Sequence, residues 1–138
     1  MADKIHLQIV TSGGVVFDQM VSSVTLPLTN GSAGILGDHA PMLGAVTDGV
    51  VVCRSESGEH AIAVGIGVVN VADNNVTVLV RSAEPGEDID LARAEAAEKR
   101  ARKRLQEKAA DLDAARAEAA LHRAIARQNA AHMVKKHK

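Results

Sequence analysis

A break at Pro85-Gly86 divides the chain into two parts that follow different residue patterns. Before the break, short apolar blocks rich in valine, leucine and isoleucine are separated by glycine-containing turns, whereas alanine, arginine, lysine and glutamate predominate after it. Proline interrupts a strand ladder, and Asp88 or Asp90 can accept backbone N–H groups at the start of a helix. We therefore predict a β-rich domain over residues 1–88 and an α-helical domain over residues 89–138.

The first domain has the pattern of short, half-buried strands. Apolar side chains alternate with polar ones at residues 5–9, 24–28 and 76–80, as in a sheet with one face in the core. Turn-forming residues recur between such blocks, and no helical pattern intervenes. We predict an antiparallel β-sandwich or barrel, with a compact loop at residues 34–41, where Gly and Pro punctuate the sequence.

The second domain has helical periodicity on both sides of Asp111-Leu112-Asp113. Residues that share a helix face recur at intervals of three, four or seven, and a turn near residues 110–112 would place two such helices antiparallel. We therefore predict a C-terminal antiparallel two-helix hairpin. Its apolar stripes consist of Leu91, Ala94, Ala101 and Leu105 on the first helix and Ala117, Leu121, Ala124 and Ile125 on the second.

Charge is unequally shared between the two domains. Residues 1–88 carry three basic and ten acidic side chains, a net charge of −7, whereas residues 89–138 carry thirteen basic and seven acidic ones, a net charge of +6. This division is typical of a cationic segment that binds an acidic partner or a polyphosphate, although a solvated helix face is the simpler alternative. Because the hairpin has few large apolar side chains, we expect it to need the sandwich, a ligand or a partner to stay folded.

Several classes of site do not fit the residue pattern. Asp38 and His39 are adjacent on one loop, which does not make the nucleophile–base relay of a hydrolase. Cys53 has no second thiol and the histidines lack ligand spacing, so we expect neither a disulfide nor a metal site. Gly65-x-Gly67 precedes valines rather than a helix, unlike a phosphate loop, and the basic helices lack the stacking aromatics of nucleic-acid binders. No apolar run is long enough for membrane insertion, and no signal-peptide pattern opens the chain.

Four arginines of the predicted hairpin are spaced so that they can converge. Arg93 and Arg100 are seven residues apart, and Arg123 and Arg127 are four apart, so each pair lies on one helix face. Opposed positions in an antiparallel hairpin have residue numbers with a constant sum, which is 223 for Arg100 with Arg123 and 220 for Arg93 with Arg127. Guanidinium groups that meet in this way repel one another unless an anion lies between them, and they suit phosphate oxygens.

The residues at the start of the first helix complement such a phosphate site. Asp90 can accept a hydrogen bond from an adenine amino group or a ribose hydroxyl, while Ile89 and Ala94 can form apolar walls. The alternative is that all four arginines point to water and that Asp90 is only the helix cap. Composition alone favours this second interpretation.

A specific sequence match lies in the predicted loop at residues 34–41. It reads Gly-Ile-Leu-Gly-Asp-His-Ala-Pro and is followed by glycine-valine strands and an alanine-rich hairpin. On these residues the chain resembles, over essentially its full length, the epsilon subunits of F-type, proton-translocating ATP synthases, whose loop reads Gly-x-Leu-Pro-Gly-His-Ala-Pro. Gly37-Asp38 stands where Pro-Gly is usual in that family.

The resemblance implies a fold, a location and partners. It implies a sandwich of about ten short strands and a non-catalytic role, without a required cofactor, in the central stalk of an ATP synthase on the cytoplasmic face of a bacterial inner membrane. The sandwich would bind the gamma subunit and the ring of c subunits, and the helices would inhibit ATP hydrolysis when they extend along gamma to the alpha and beta subunits. The implied rotor-contact loop includes Gly34, Leu36, Asp38, His39 and Pro41.

The same resemblance implies a regulatory nucleotide site. In some bacterial members the folded hairpin binds ATP through an Ile/Leu-Asp-x-x-Arg-Ala motif and basic residues of both helices, and residues 89–94 here read Ile-Asp-Leu-Ala-Arg-Ala. Two other functions stay open: a structural stalk coupler without ATP sensing and a free-standing nucleotide-binding module. The implied ATP-binding residues are Glu84, Ile89, Asp90, Arg93, Ala94, Arg100, Arg123 and Arg127.

Overall fold

The computed structural model describes residues 4–107 and 111–136, which form ten strands, a short 3-10 helix at Gly86–Asp88 and two α-helices. The helices are α1 (Leu91–Gln106) and α2 (Asp111–Lys136). The predicted order of strands and then helices is confirmed. The strands are β1 (Ile5–Thr11), β2 (Gly14–Val21), β3 (Ser23–Leu28), β4 (Gly31–Leu36), β5 (Met42–Val46), β6 (Gly49–Ser55), β7 (Gly58–Val64), β8 (Gly67–Ala72), β9 (Asn75–Val80) and β10 (Ala83–Pro85).

The strands form one sheet that folds over on itself. Their order is β10-β7-β6-β3-β5-β8-β9-β1-β2, with β4 paired to β3. Phe17 of β2 meets His60 of β7 edge to face, with 5.6 Å between ring centroids, so strands near the two ends of the sheet approach each other. The predicted sandwich is confirmed, with β1 and β9 paired in parallel. Alternation of apolar residues does not report strand direction, so the sequence pattern cannot reveal a parallel pair.

The core consists of one side chain in two along the strands. Ile5, Leu7 and Ile9 of β1 are at most 1% exposed, and valines of the facing strands pack against them. Phe17, the single aromatic residue of the chain, joins the same cluster. The core is therefore aliphatic, and its shape depends on branched side chains that fit a pleated surface.

The predicted loop at residues 34–41 is wrong in its first part. Gly34 pairs with Thr25, and Leu36 with Ser23, so β4 continues to Leu36. Ile35 is 1% exposed and belongs to the core. Burial of this side chain outweighs the turn tendency of its glycine neighbours, and only residues 37–41 connect β4 to β5.

The helices form a layer on one side of the sandwich. α2 packs against β6, β7, β10 and the 3-10 helix, and α1 packs mainly against α2. Ala94 and Ala101 of α1 and Ala117 and Ala124 of α2 are at most 2% exposed, which confirms the core of the predicted stripes. α2 therefore lies between the sandwich and α1.

A second, smaller apolar cluster attaches α2 to the sandwich. Ala61 and Ala63 of β7 and Ala130 of α2 are its buried members. Gly86 lies beside it, and a Cβ atom there would be 2.5 Å from the Ala130 carbonyl oxygen and 2.6 Å from Val134 Cγ2. Small residues thus let the helix approach the sandwich closely, over an area that contains few large apolar groups.

Candidate functional site

A cleft of about 480 Å³ lies between the helices and the end of the sandwich. Its volume is within the range of small-molecule sites, which is roughly 300–1,000 Å³. α1 contributes one residue and α2 contributes most of the opposite wall. The lining residues are Ala63, Val64, Ser82, Ala83 and Glu84 from the sandwich and Ala97, Ala120, Arg123, Ala124, Ala126 and Arg127 from the helices.

The cleft exists because small side chains face each other across it. Ala63 lies in β7 and Ala83 in β10, while Ala120 and Ala124 are one turn apart on α2. Methyl groups leave space that larger side chains would fill, so the wall is apolar and open. Such a surface suits a flat apolar group of a ligand.

An ion pair closes one side of the cleft. Arg127 Nε of α2 donates to Glu84 Oε1 of β10 over 2.9 Å, and the two side chains are 28% and 37% exposed. Pairing of Glu84 with Ala63 fixes the strand that carries the carboxylate. A guanidinium group has five N–H donors, and this contact uses the Nε donor, so the terminal nitrogens can bind another acceptor.

Arg123 lies between the cleft and a second groove of about 340 Å³. This groove is also lined by Asp48, Arg81 and Ser82, and it shares Ser82 and Arg123 with the cleft. The two spaces are therefore contiguous. Their common border carries a hydroxyl and a guanidinium group.

Asp90 caps α1. Its Oδ1 accepts the backbone N–H of Arg93 over 3.1 Å, and its carbonyl oxygen accepts the N–H of Ala94 over 3.0 Å. Ala94 is fully buried, and Ile89 packs against the alanine cluster under α2. Of the two caps that the sequence allowed, Asp88 and Asp90, the structure uses Asp90, and this residue is exposed.

The predicted ATP-binding residues fall into two groups. Glu84, Arg123 and Arg127 line the cleft. Arg93 and Arg100 are exposed and, like residues 89, 90 and 94, are not among the lining side chains. Sequence reasoning missed Ser82 and the alanines of the wall; the recurrence of alanine every three or four residues on both helices was the available signal.

A hydrogen bond between the helices indicates their register. Gln128 Nε2 donates to Glu98 Oε1 over 2.7 Å, and Arg102 Nε donates to Glu98 Oε2 over 2.7 Å. These two donors, Arg102 first, lower the pKa of Glu98 below its ordinary value. The residue numbers of Glu98 and Gln128 sum to 226, compared with the 220 and 223 that converging arginines required. The contact between the helices is therefore offset by three to six residues from that arrangement, which is between about one and two helical turns.

The predicted rotor-contact residues lie at a different end of the sandwich strands. Asp38 has a φ of +65°, a conformation that Asp tolerates better than most residues, and Asn74 Oδ1 accepts its N–H over 2.6 Å. His39 Nδ1 lies 2.7 Å from the Ala40 carbonyl oxygen, within its own turn. Leu36, directly before the loop, is 58% exposed. The loop is thus held by polar contacts and flanked by an exposed apolar side chain.

Two further observations concern residues 4–107 and 111–136. No cluster of three or more His, Cys, Asp or Glu side chains in this part of the chain is arranged to hold a metal ion. Neither of its helices combines the length and the apolar character needed to span a bilayer.

Family comparisons cover both parts of the chain. A family model described as "ATP synthase, Delta/Epsilon chain, beta-sandwich domain" matches residues 4–86. A second, described as "ATP synthase, Delta/Epsilon chain, long alpha-helix domain", matches residues 87–132.

Two relatives carry the same family name, and one solved structure has a similar fold. The ATP synthase epsilon chain of Pelotomaculum thermopropionicum is 44% identical over 109 residues, which is 78% of this chain and 81% of the relative. That of Desulfitobacterium hafniense strain Y51 is 44% identical over 108 residues, or 78% and 82% of the two chains. A chain in the OSCP/F1/c-ring structure of the Euglena gracilis mitochondrial ATP synthase superposes with a TM-score of 0.77 at 22% identity, covering 88% of this chain and 78% of that one. This last likeness supports the fold.

Proposed function

The chain belongs to the ATP synthase delta/epsilon family, and from this membership we propose that it is the epsilon subunit in the central stalk of an F-type ATP synthase. In this role it is a non-catalytic subunit, peripheral to a bacterial cell membrane, whose sandwich links the gamma subunit to the ring of c subunits. The loop at residues 37–41, with Leu36 exposed beside it, is the proposed rotor contact. The division into a rotor-binding domain at residues 1–88 and a mobile regulatory domain at residues 89–138 is part of the same proposal.

We further propose that the cleft binds ATP as a regulator. The supporting observation is a cavity with small apolar walls and two arginines, Arg123 and Arg127, at its border. Guanidinium groups bind phosphate oxygens, and methyl-lined walls accept a base. Arg93 and Arg100 carry long side chains on the adjacent helix and would reach the phosphates after a rotamer change, which a ligand can induce.

ATP would regulate the protein by bridging the sandwich and α2. ATP in the cleft contacts both the sandwich and α2, so it favours the docked state of the helices over any extended state. Without ATP, the basic hairpin extends along gamma to the alpha and beta subunits, where its positive charge suits the acidic surface of beta and it blocks hydrolysis. The ligand acts only through its preference for one form.

Calorimetry of the isolated full chain with ATP tests the nucleotide site. We expect saturable one-to-one binding that is weakened at least tenfold in Arg127→Ala and Asp90→Ala, the first by loss of a charge-assisted bond and the second by loss of the α1 cap. Arg104→Ala removes an exposed arginine of α1 outside the cleft and should bind like the unaltered chain. No binding up to millimolar ATP would refute the regulatory site.

Deletion of residues 90–138 tests inhibition in the assembled enzyme. We expect faster ATP hydrolysis with unchanged co-purification of gamma, because the sandwich carries the rotor contact. Unchanged hydrolysis would leave the second candidate, a structural coupler without regulation. That candidate is favoured by the role of Asp90 as a helix cap and by the exposure of Arg93 and Arg100 outside the cleft. Failure to co-purify with gamma would instead indicate a free-standing nucleotide-binding module.

A further inference from the structure

We propose that Arg81 and Arg123 form a phosphoryl-binding subsite that extends the cleft and draws one of its two guanidinium groups from the sandwich. This inference rests on the proposed nucleotide site for its ligand. Arg81 lies outside the motif and the helices in which the sequence indicated phosphate binding. The proposed ligand group is a phosphate chain, either that of a nucleotide or a free inorganic polyphosphate.

The backbone around the groove is fixed by hydrogen bonds. Arg81 N donates to the Ile66 carbonyl oxygen over 3.0 Å, and Gly65 N donates to the Ser82 carbonyl oxygen over 2.9 Å. Arg81 and Ser82 are thus presented by a paired segment directly after β9. Arg123 reaches the same groove from α2. The two guanidinium groups of the groove therefore come from different layers of the fold, one from the sandwich and one from the helices.

Space for a ligand comes from a missing side chain. A Cβ atom at Gly65 would be 2.7 Å from Ser82 Oγ and 3.6 Å from Asp48 Oδ1. Any larger residue would therefore fill the bottom of the groove. With glycine there, the Ser82 hydroxyl is available as a donor, and serine hydroxyls commonly bind phosphate oxygens together with arginine.

The charges of the groove favour an anion. Among the described residues, Arg81 and Arg123 form no ion pair within 4.0 Å, and Asp48 is the acidic side chain in the lining. Arg81 is also one of three basic side chains in the first 88 residues, which carry ten acids. If position 81 served only to attract the hairpin, whose net charge is +6, an acidic residue would be favoured there. Arg81 instead lines the same groove as Arg123, and the two like charges repel each other unless an anion lies between them.

Continuity with the cleft determines what the subsite distinguishes. The cleft and the groove share Ser82 and Arg123, so a nucleotide whose base lies against the alanines can extend its phosphates towards Arg81. Longer phosphate chains reach further into the groove. The subsite therefore selects triphosphates over monophosphates, and because it bridges the sandwich and α2, its occupancy stabilises the docked helix.

Calorimetry of the full chain with ATP, AMP and inorganic tripolyphosphate tests the proposal. We expect Arg81→Gln to weaken the binding of ATP and of tripolyphosphate about tenfold, which is the effect of losing one charge-assisted hydrogen bond. The affinity for AMP should change less than twofold. Asp48→Asn should strengthen the binding of both ATP and tripolyphosphate, since it removes from the groove a negative charge that repels them. Arg54→Gln is the matched control, because it removes the same charge outside the groove. Arg54 lies near the far end of β6, six residues from Asp48, which is about 20 Å at roughly 3.3 Å per residue.

The outcomes distinguish failure of the subsite from failure of the nucleotide site. ATP binding that is unchanged in Arg81→Gln overturns the subsite and leaves the regulatory nucleotide site intact. Tripolyphosphate binding that depends on Arg81, in a chain that does not bind ATP, supports the subsite as a free-anion site and refutes the nucleotide site. If Arg54→Gln weakens polyphosphate binding as much as Arg81→Gln does, the loss reflects the net charge of the chain, and the subsite is overturned. A chain that binds none of the three ligands refutes both.

Discussion

Glu84 and Arg127, separated by 43 positions in the chain, form the ion pair that joins the last strand to the inner helix. The Oε1–Nε distance is 2.9 Å, and both side chains are about one third exposed. Because water screens such a pair, its contribution is about 0.5–1 kcal/mol. The contact is thus weak enough to break during a conformational change and specific enough to set how α2 lies on the sandwich.

Glu84→Gln should loosen α2 without unfolding the sandwich. The amide keeps the shape of the carboxylate but loses its charge, so we expect amide hydrogen exchange at residues 117–131 to become two- to fivefold faster. Glu95→Gln, at an exposed position of α1, makes the same chemical change away from the sheet. Equal exchange rates in the two variants would show that the ion pair does not hold the helix.

Gly86→Ala should undock the end of α2 by steric conflict. The added Cβ would be 2.5 Å from the Ala130 carbonyl oxygen, a distance that forces the helix to shift. We expect a loss of about 1–3 kcal/mol in docking free energy, seen as faster amide exchange near residue 130. Gly34→Ala is the control, because nothing lies within 4 Å of a Cβ atom there. Retention of full protection in Gly86→Ala would contradict the close approach.

The sequence was sufficient for those features that depend on local periodicity. Strands with alternating residues, a helix start within residues 88–91 and the buried alanine stripes all follow from side-chain spacing. The cleft does not, because it depends on the register between α1 and α2 and on where α2 meets β10. The extent of β4 was also missed, since burial of Ile35 depends on strands that are distant in the chain.

Truncation of a core side chain should cost far more than truncation of an exposed one. Leu7 is fully buried in β1, and Leu7→Ala should lower the free energy of unfolding by about 2–5 kcal/mol. Leu43 is 77% exposed, and Leu43→Ala should change it by less than about 0.5 kcal/mol. Urea titration measures both. A small effect of Leu7→Ala would mean that the sandwich core is not packed around β1.

Cys53 should be chemically inert in the folded chain. It is 1% exposed, and burial, assisted by the charge of Glu59, raises its pKa to about 12. The thiolate is the reactive form, so alkylation by iodoacetamide at pH 8 should be at least a hundredfold slower than for an unfolded control in urea. Comparable rates in the two states would indicate that β6 opens readily.

Stability should depend on pH through Asp18. Hydrogen bonds from His6, and then from Gln8, hold the pKa of Asp18 below its ordinary value of 3.8. A depressed pKa stabilises the fold above pH 3.8, and this stabilisation is lost as the pH falls through the lower, folded-state value. His6→Ala should therefore be less stable than the unaltered chain at pH 5, and the difference should shrink as the pH falls below 3.8. Urea titrations across this interval would refute the linkage if the difference stayed constant.

The position of α2 between the sandwich and α1 determines how the hairpin can respond. The chain leaves the sandwich through the outer helix and returns through the inner one, and α1 packs mainly on α2. If α2 leaves the sheet, α1 has little left to pack against there. The two helices should therefore detach together, and occupancy of the docked state should change in an all-or-none manner rather than by gradual fraying.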